Sequence, residues 1–144
     1  MTYLVTGGAG FVGSHVAEKL LKRGEKVVVI DNFNDYYDPA IKRRNAKNLE
    51  QYEKFTLIEG DIRDVELVNQ LFVEHDITYV AHLAAMAGVR LSVDQTRLYM
   101  DVNLTGTMNL LEAGKAQKIK QFVLASTSSV YGKTQTLPFI ETDR

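Results

Sequence analysis

Gly7-Gly8-Ala9-Gly10-Phe11-Val12-Gly13 lies between a short apolar run, Tyr3–Thr6, and a stretch with helical spacing, Phe11 to Arg23. Its three glycines at intervals of three have separate tasks. Gly7 allows a tight turn, Gly10 lets backbone N–H groups approach a pyrophosphate, and Gly13 lets the helix pack close to the strand. The helix N-terminus, where Phe11 and Val12 sit, adds unpaired N–H donors and a partial positive charge facing the phosphates. A glycine-rich turn can be purely conformational. Here the strand–turn–helix context and an acidic residue downstream favour the phosphate cradle.

That acidic residue is Asp31, at the carboxyl end of the β-branched run Lys26–Ile30. A carboxylate there accepts hydrogen bonds from both hydroxyls of a ribose and repels a 2′-phosphate. No arginine or lysine follows until Lys42, so the cofactor is expected to be NAD rather than NADP.

Outward from this unit the pattern repeats. Val12, Val16 and Leu20 share a helical face, and Gly24 stops that helix. Asp38-Pro39 starts a polar, basic helix expected on the outside. Phe55–Ile58 reads as a third strand, closed by Gly60-Asp61, and Asp64 caps a helix with Val65, Val68, Leu71 and Phe72 inward. Thr78–Leu83 is a fourth strand, a long helix runs from about Asp94 to Ala116, and Phe122–Ala125 is a fifth strand. Strands alternating with helices in one domain, residues 1–144, predict an α/β chain. The expected architecture is a Rossmann-type doubly wound parallel sheet, order 3-2-1-4-5, with later strands absent.

The bulk properties narrow the class. A net charge of −1 calls for neither nucleic acid nor an anionic membrane. The absence of cysteine removes disulfides, zinc-thiolate sites and thiol nucleophiles. No apolar stretch approaches the roughly 18 residues of a membrane span, and a strand follows Met1 with no room for a leader. The expectation is a cytoplasmic, soluble chain.

Thr6-Gly7-Gly8-Ala9-Gly10-Phe11-Val12-Gly13-Ser14-His15 resembles the opening of the extended short-chain dehydrogenase/reductases, which include the sugar-nucleotide epimerases and dehydratases. Gly60-Asp61-Ile62-Arg63-Asp64 is similar to the third-strand exit of that branch, where the aspartate and its neighbour flank the adenine. His82-Leu83-Ala84-Ala85 resembles the fourth-strand segment that passes the cofactor ribose. Tyr99, Asn103, Gly106-Thr107 and Asn109-Leu110-Leu111-Glu112 match the next helix, and Ser126-Thr127-Ser128-Ser129-Val130-Tyr131-Gly132 the fifth-strand exit. Asp31 to Asp38, with Asn32 beside the acidic strand end, and Ala87-Gly88-Val89-Arg90 are closest in character to the UDP-glucuronate 4-epimerases.

The resemblance implies a chemistry. NAD takes a hydride from C4 of a UDP-sugar, UDP-glucuronate by the subfamily pattern, and returns it to the opposite face of a transient 4-ketone. The base is the tyrosine of a Tyr-x-x-x-Lys pair, its pKa lowered by the lysine and the cationic nicotinamide. By position before Val130-Tyr131-Gly132, Thr127 supplies the hydroxyl that shares the hydrogen bond to the reacting oxygen. The resemblance puts Gly7, Gly10, Phe11, Val12, Gly13, Asp31, Asn32, Asp61, Ile62, Leu83, Ala84, Ala85 and Asn103 at the cofactor. It puts Ala87, Gly88, Arg90 and Ser128 at the sugar nucleotide. Arg90 either meets a diphosphate or uronate carboxylate bidentately or makes a surface ion pair.

None of the seven tyrosines has a lysine four residues on. The pair and the sugar-binding part are therefore expected beyond residue 144, in a chain that is truncated, split or a fragment. This favours the rival reading, an NAD-binding module without catalysis. A 4,6-dehydratase would carry an Asp-Glu pair after the threonine, where Ser128-Ser129 stand. Unpaired strand edges predict a homo-oligomer and a loose tail from about Lys133. Lys42-Arg43-Arg44 is read as a solvated helix face, and the scattered His15, His75 and His82 as no metal site.

Overall fold

Strand β2, Lys26–Asp31, is buried at every position after Lys26, as a central strand of a parallel sheet covered on both faces must be. In the computed structural model, which describes residues 1–133 and 137–142, it lies between β1 (Thr2–Thr6) and β3 (Phe55–Glu59). β4 (Tyr79–His82) pairs with the other side of β1, and β5 (Gln121–Leu124) pairs with β4. The order β3-β2-β1-β4-β5, parallel throughout, is the Rossmann arrangement expected from the sequence.

Alternation along the strands splits the core in two. Leu4, Val28, Ile30 and Val80 face α3 (Val65–Glu74) and α6 (Thr107–Ala116) through Val68, Leu71, Phe72, Leu110 and Ala113. Val5, Val27 and Val29 face α1 (Phe11–Lys22) and α2 (Pro39–Leu49) through Ala17, Leu20, Leu21 and Leu49. Asp64 caps α3, accepting from the N–H groups of Glu66 and Leu67. Asp38 caps α2 through Ala40 N–H, with Pro39 in the first turn. Gly24, at φ +80°, ends α1.

Two expectations need correction. In α1 the buried face is Gly13, Ser14, Ala17, Leu20 and Leu21, and Val12 is exposed, because the helix presses its small residues against the glycine turn. Val65 of α3 is exposed rather than inward, since the cap at Asp64 turns the first residue to solvent. The expected long helix is present as an unbroken helical run over residues 96–116, made of α5 (Thr96–Met100), a π-helical stretch at Asp101–Gly106 and α6, and a separate short α4 (Val89–Asp94) precedes it. Tertiary bonds hold the wide turns, as the site shows. Among the described residues no helix is long and apolar enough to cross a membrane.

The expected loose tail falls partly on 134–136 and 143–144, outside the described residues. Within them the Tyr131 and Phe139 rings stack at 4.8 Å.

Candidate functional site

A cleft of about 400 Å³ opens at the carboxyl ends of β1 to β4, where the strand order reverses and doubly wound sheets place their ligands. Every residue expected at the cofactor lines it except Asn103, and Ala87 of the expected sugar set lines it too. Gly88, Arg90, Thr127 and Ser128 lie outside that lining.

The floor is the glycine turn. Gly7 has φ +65°, donates its N–H to the Ile30 carbonyl at 2.8 Å, and a Cβ there would stand 2.9 Å from Ala84 Cα. A Cβ on Gly13 would run into the Gly7 carbonyl oxygen. No side chain caps α1, so its first-turn N–H groups are left to a ligand in the cleft.

Asp31 is tied to that turn. Its Oδ2 accepts from Ala9 N–H at 3.1 Å and its Oδ1 from Phe33 N–H at 2.9 Å. Only 6% of the residue is exposed. At the next strand exit Asp61 accepts from Asn32 Nδ2 (2.9 Å), from Arg63 N–H and Nε (2.9 Å each), and from Arg63 Nη2 (2.8 Å). Hydrogen bonding by Arg63 holds its carboxyl down at about 2, against the opposing effect of burial. Asn32 thus bridges the exits of β2 and β3.

The segment after β4 is fixed from behind. Thr6 Oγ1 accepts from the N–H groups of Leu83 and Ala84, both at 3.1 Å. The Asn103 amide accepts from Met86 N–H at 2.8 Å and donates to the Met86 carbonyl at 2.9 Å. Both polar ends of Asn103 are thereby spent on backbone, so it shapes the cleft wall rather than lining it. A Cβ on Gly106 would press on the Ile62 side chain at 2.6 Å, and Thr107 Oγ1 meets His82 Nε2 at 2.8 Å. These contacts gather at the π-helical stretch. Tyr99 Oη donates to the Ala87 carbonyl, which secures the loop before α4.

Thr127 begins the 3₁₀ turn Ser128–Tyr131, accepting from Ser129 N–H at 3.2 Å. It follows directly on β5, which Ala125 N–H extends by bonding to the His82 carbonyl. Arg90 is exposed in the first turn of α4 and has no ion-pair partner among the described residues.

Lys42 and Tyr37 are among the cleft residues that the sequence reading missed. Lys42 is not on a solvated face: it is 6% exposed and lines the cleft, with Nζ 2.6 Å from Asn34 Oδ1 and 3.6 Å from Asp31 Oδ1. Its neighbour Arg43 is the exposed one, paired with Glu59 through two hydrogen bonds (2.7 and 2.5 Å) and stacked 3.7 Å over Phe33. Tyr37 also lines the cleft. Its Oη is buried with no hydrogen-bond partner among the described residues, and burial, with the Asp31 charge second, pushes its pKa up. The sequence offered no signal for Lys42, and for Tyr37 only its place in the Asp31 to Asp38 stretch.

This sheet order, with a glycine turn and an acidic strand end at its switch point, defines the Rossmann class. Residues 4–144 match the family described as GDP-mannose 4,6 dehydratase. The chain belongs to that family, within the extended short-chain dehydrogenase/reductases. It is similar to UDP-glucuronate 4-epimerase 4 of Arabidopsis thaliana, at 48% identity across all of the chain and 33% of the relative. It is 46% identical to UDP-glucuronate 4-epimerase of Thermodesulfobacterium geofontis, over 96% of the chain and 43% of the relative. Among solved structures, it superposes on UDP-glucuronic acid 4-epimerase from Bacillus cereus in complex with UDP-glucuronic acid and NAD. The TM-score there is 0.86 and the identity 40%, over 94% of this chain and 43% of that one. The chain therefore spans well under half the length of these relatives.

Proposed function

We propose that this chain is the NAD-binding portion of a UDP-sugar 4-epimerase, and that the sugar nucleotide is UDP-glucuronate. The observation that carries the reading is the Asp31 carboxylate bonded to Ala9 N–H inside the glycine turn, which puts phosphate cradle and ribose acceptor on one rigid element. The residues fit the cofactor. The first turn of α1 is open toward the cleft, and the orphaned Tyr37 hydroxyl lacks an acceptor or donor that a bound nucleotide would offer.

In this reading Gly7, Gly10, Gly13 and the first turn of α1 hold the pyrophosphate, and Asp31 with Asn32 holds the adenosine ribose. Asp61 and Ile62 flank the adenine, and the backbone of Leu83 to Ala85 passes the second ribose. NAD, when bound, supplies reversible hydride exchange at C4 of the sugar. Thr127 shares the hydrogen bond to the C4 oxygen, and Ala87, Gly88, Arg90 and Ser128 border the sugar nucleotide. No tyrosine here has a lysine four residues on, which supports binding without turnover for these 144 residues alone. Exposed Met100, Leu104, Met108 and Leu111 form a stripe at helical intervals along α5 to α6, which supports self-association.

Calorimetric titration with NAD and NADP, with a C4-epimerisation assay on UDP-glucuronate in the same preparation, tests the proposal. Saturable NAD binding, weaker NADP binding and no turnover are expected. Failure to bind NAD would overturn it.

A further inference from the structure

The ammonium of Lys42 is the unexplained group of the cleft. It carries three N–H donors, and Asn34 Oδ1 takes one at 2.6 Å. Asp31 Oδ1, at 3.6 Å, is beyond hydrogen-bond length. Yet the Lys42 side chain is only 7% exposed, so donors with no partner among the described residues stand on the cleft wall. A buried cation with unspent donors costs stability unless an acceptor arrives. The other cations at these strand exits are occupied. Arg43 is spent on Glu59 and Arg63 on Asp61.

Resting on the NAD reading above, we propose that Lys42 and Asp31 together read the adenosine ribose, and that Lys42 makes Asp31 the sole barrier to a 2′-phosphate. The carboxylate accepts from a ribose hydroxyl and the ammonium donates to one. A 2′-phosphate is refused because Asp31 stands beside it, although the neighbouring ammonium would otherwise receive it as an anion. Neutralising Asp31 alone leaves a cationic ribose pocket. Neutralising both residues leaves a pocket with no charge preference.

The test titrates the unsubstituted chain, Asp31→Asn, Lys42→Met and the double variant with NAD and with NADP, and follows thermal unfolding of each without cofactor. Asp31→Asn is expected to lose about ten-fold in NAD affinity and gain about ten-fold in NADP affinity. Adding Lys42→Met should abolish that NADP gain. Asp31→Asn strands the buried ammonium and Lys42→Met the buried carboxylate, so each single variant is expected to melt below the double variant. The comparison rests on Asp31→Asn against the double variant, which buries no lone charge. An NADP gain that survives loss of Lys42, or no gain in a folded Asp31→Asn chain, overturns the inference and leaves the NAD reading intact. An unsubstituted chain that binds neither cofactor overturns both.

Discussion

Thr6 Oγ1 stands 2.7 Å from His82 Nδ1 between the ends of β1 and β4, and only one proton arrangement satisfies this contact. Both acceptor positions of the Thr6 hydroxyl are taken by the N–H groups of Leu83 and Ala84, so Thr6 must donate to Nδ1. On the far side, Thr107 Oγ1 donates to the Asn103 carbonyl at 2.7 Å and accepts from His82 Nε2–H. His82 is therefore a neutral imidazole with its proton on Nε2. A second proton, on Nδ1, would meet an oxygen with no lone pair to offer.

The pH dependence follows. His82 is 2% exposed, and burial lowers its pKa from 6.5 to about 4. Between these values the unfolded chain binds a proton that the folded chain does not, so stability falls as pH drops through this window. The loss is of the order of 3 kcal/mol, and above pH 6.5 the group contributes no slope. Asp61, lowered from 3.8 to about 2, extends the loss below pH 3.8. Urea unfolding across this range should show the upper slope in the unsubstituted chain and not in His82→Gln. Equal slopes would refute the assignment.

Gly7→Ala tests the glycine turn against Gly24→Ala. Both glycines have positive φ, at +65° and +80°, but nothing lies within 4 Å of a Cβ on Gly24, whereas one on Gly7 meets the Ala84 backbone at 2.9 Å. Gly24→Ala should cost about 1 kcal/mol of backbone strain and leave NAD titration unchanged. Gly7→Ala should cost about 2 to 4 kcal/mol and remove NAD binding. Matching losses in both would mean that close approach to Ala84 plays no part.

Asn103→Leu removes the two hydrogen bonds that hold Met86 while keeping side-chain volume. Both bonds are exposed and water can replace the lost partner, so a loss of about 1 kcal/mol is expected. Because Asn103 does not line the cleft, NAD affinity should fall less than for Asp31→Asn. An equal or larger fall, measured by calorimetry on the folded variant, would place Asn103 in contact with the cofactor instead.

The parts legible in the sequence are those governed by local chemistry. The apolar run of β2, the caps at Asp38 and Asp64, and the glycine turn each depend on neighbours within a few residues, and the fold follows from their order. Lys42 was illegible because its burial comes from α2 packing over the 31–37 loop, while its neighbours Arg43 and Arg44 suggest a solvated face. The π-helical stretch inside the 94–116 helix was illegible for a similar reason. Its residues have ordinary helical character, and the π-helical stretch lies where Gly106 meets Ile62 and Asn103 bonds Met86.

Tyr37→Phe separates the stability of the empty cleft from its use. Tyr37 Oη is buried without a hydrogen-bond partner among the described residues, 3.6 Å from where a Cβ on Gly10 would stand. Lys42 Nζ lies over the ring face, 5.2 Å from its centroid, and makes no hydrogen bond to the hydroxyl. An unpaired buried hydroxyl costs about 1 to 3 kcal/mol, and phenylalanine fills the same space without that cost. The variant should therefore melt at or above the temperature of the unsubstituted chain when no cofactor is present. If the hydroxyl gains its partner from a nucleotide phosphate beside Gly10, NAD affinity should fall about ten-fold in the same variant. A rise in melting temperature with unchanged NAD affinity would show that the hydroxyl stays orphaned in the complex. A fall in both would mean that the hydroxyl already has a partner in the free chain, contrary to the arrangement described.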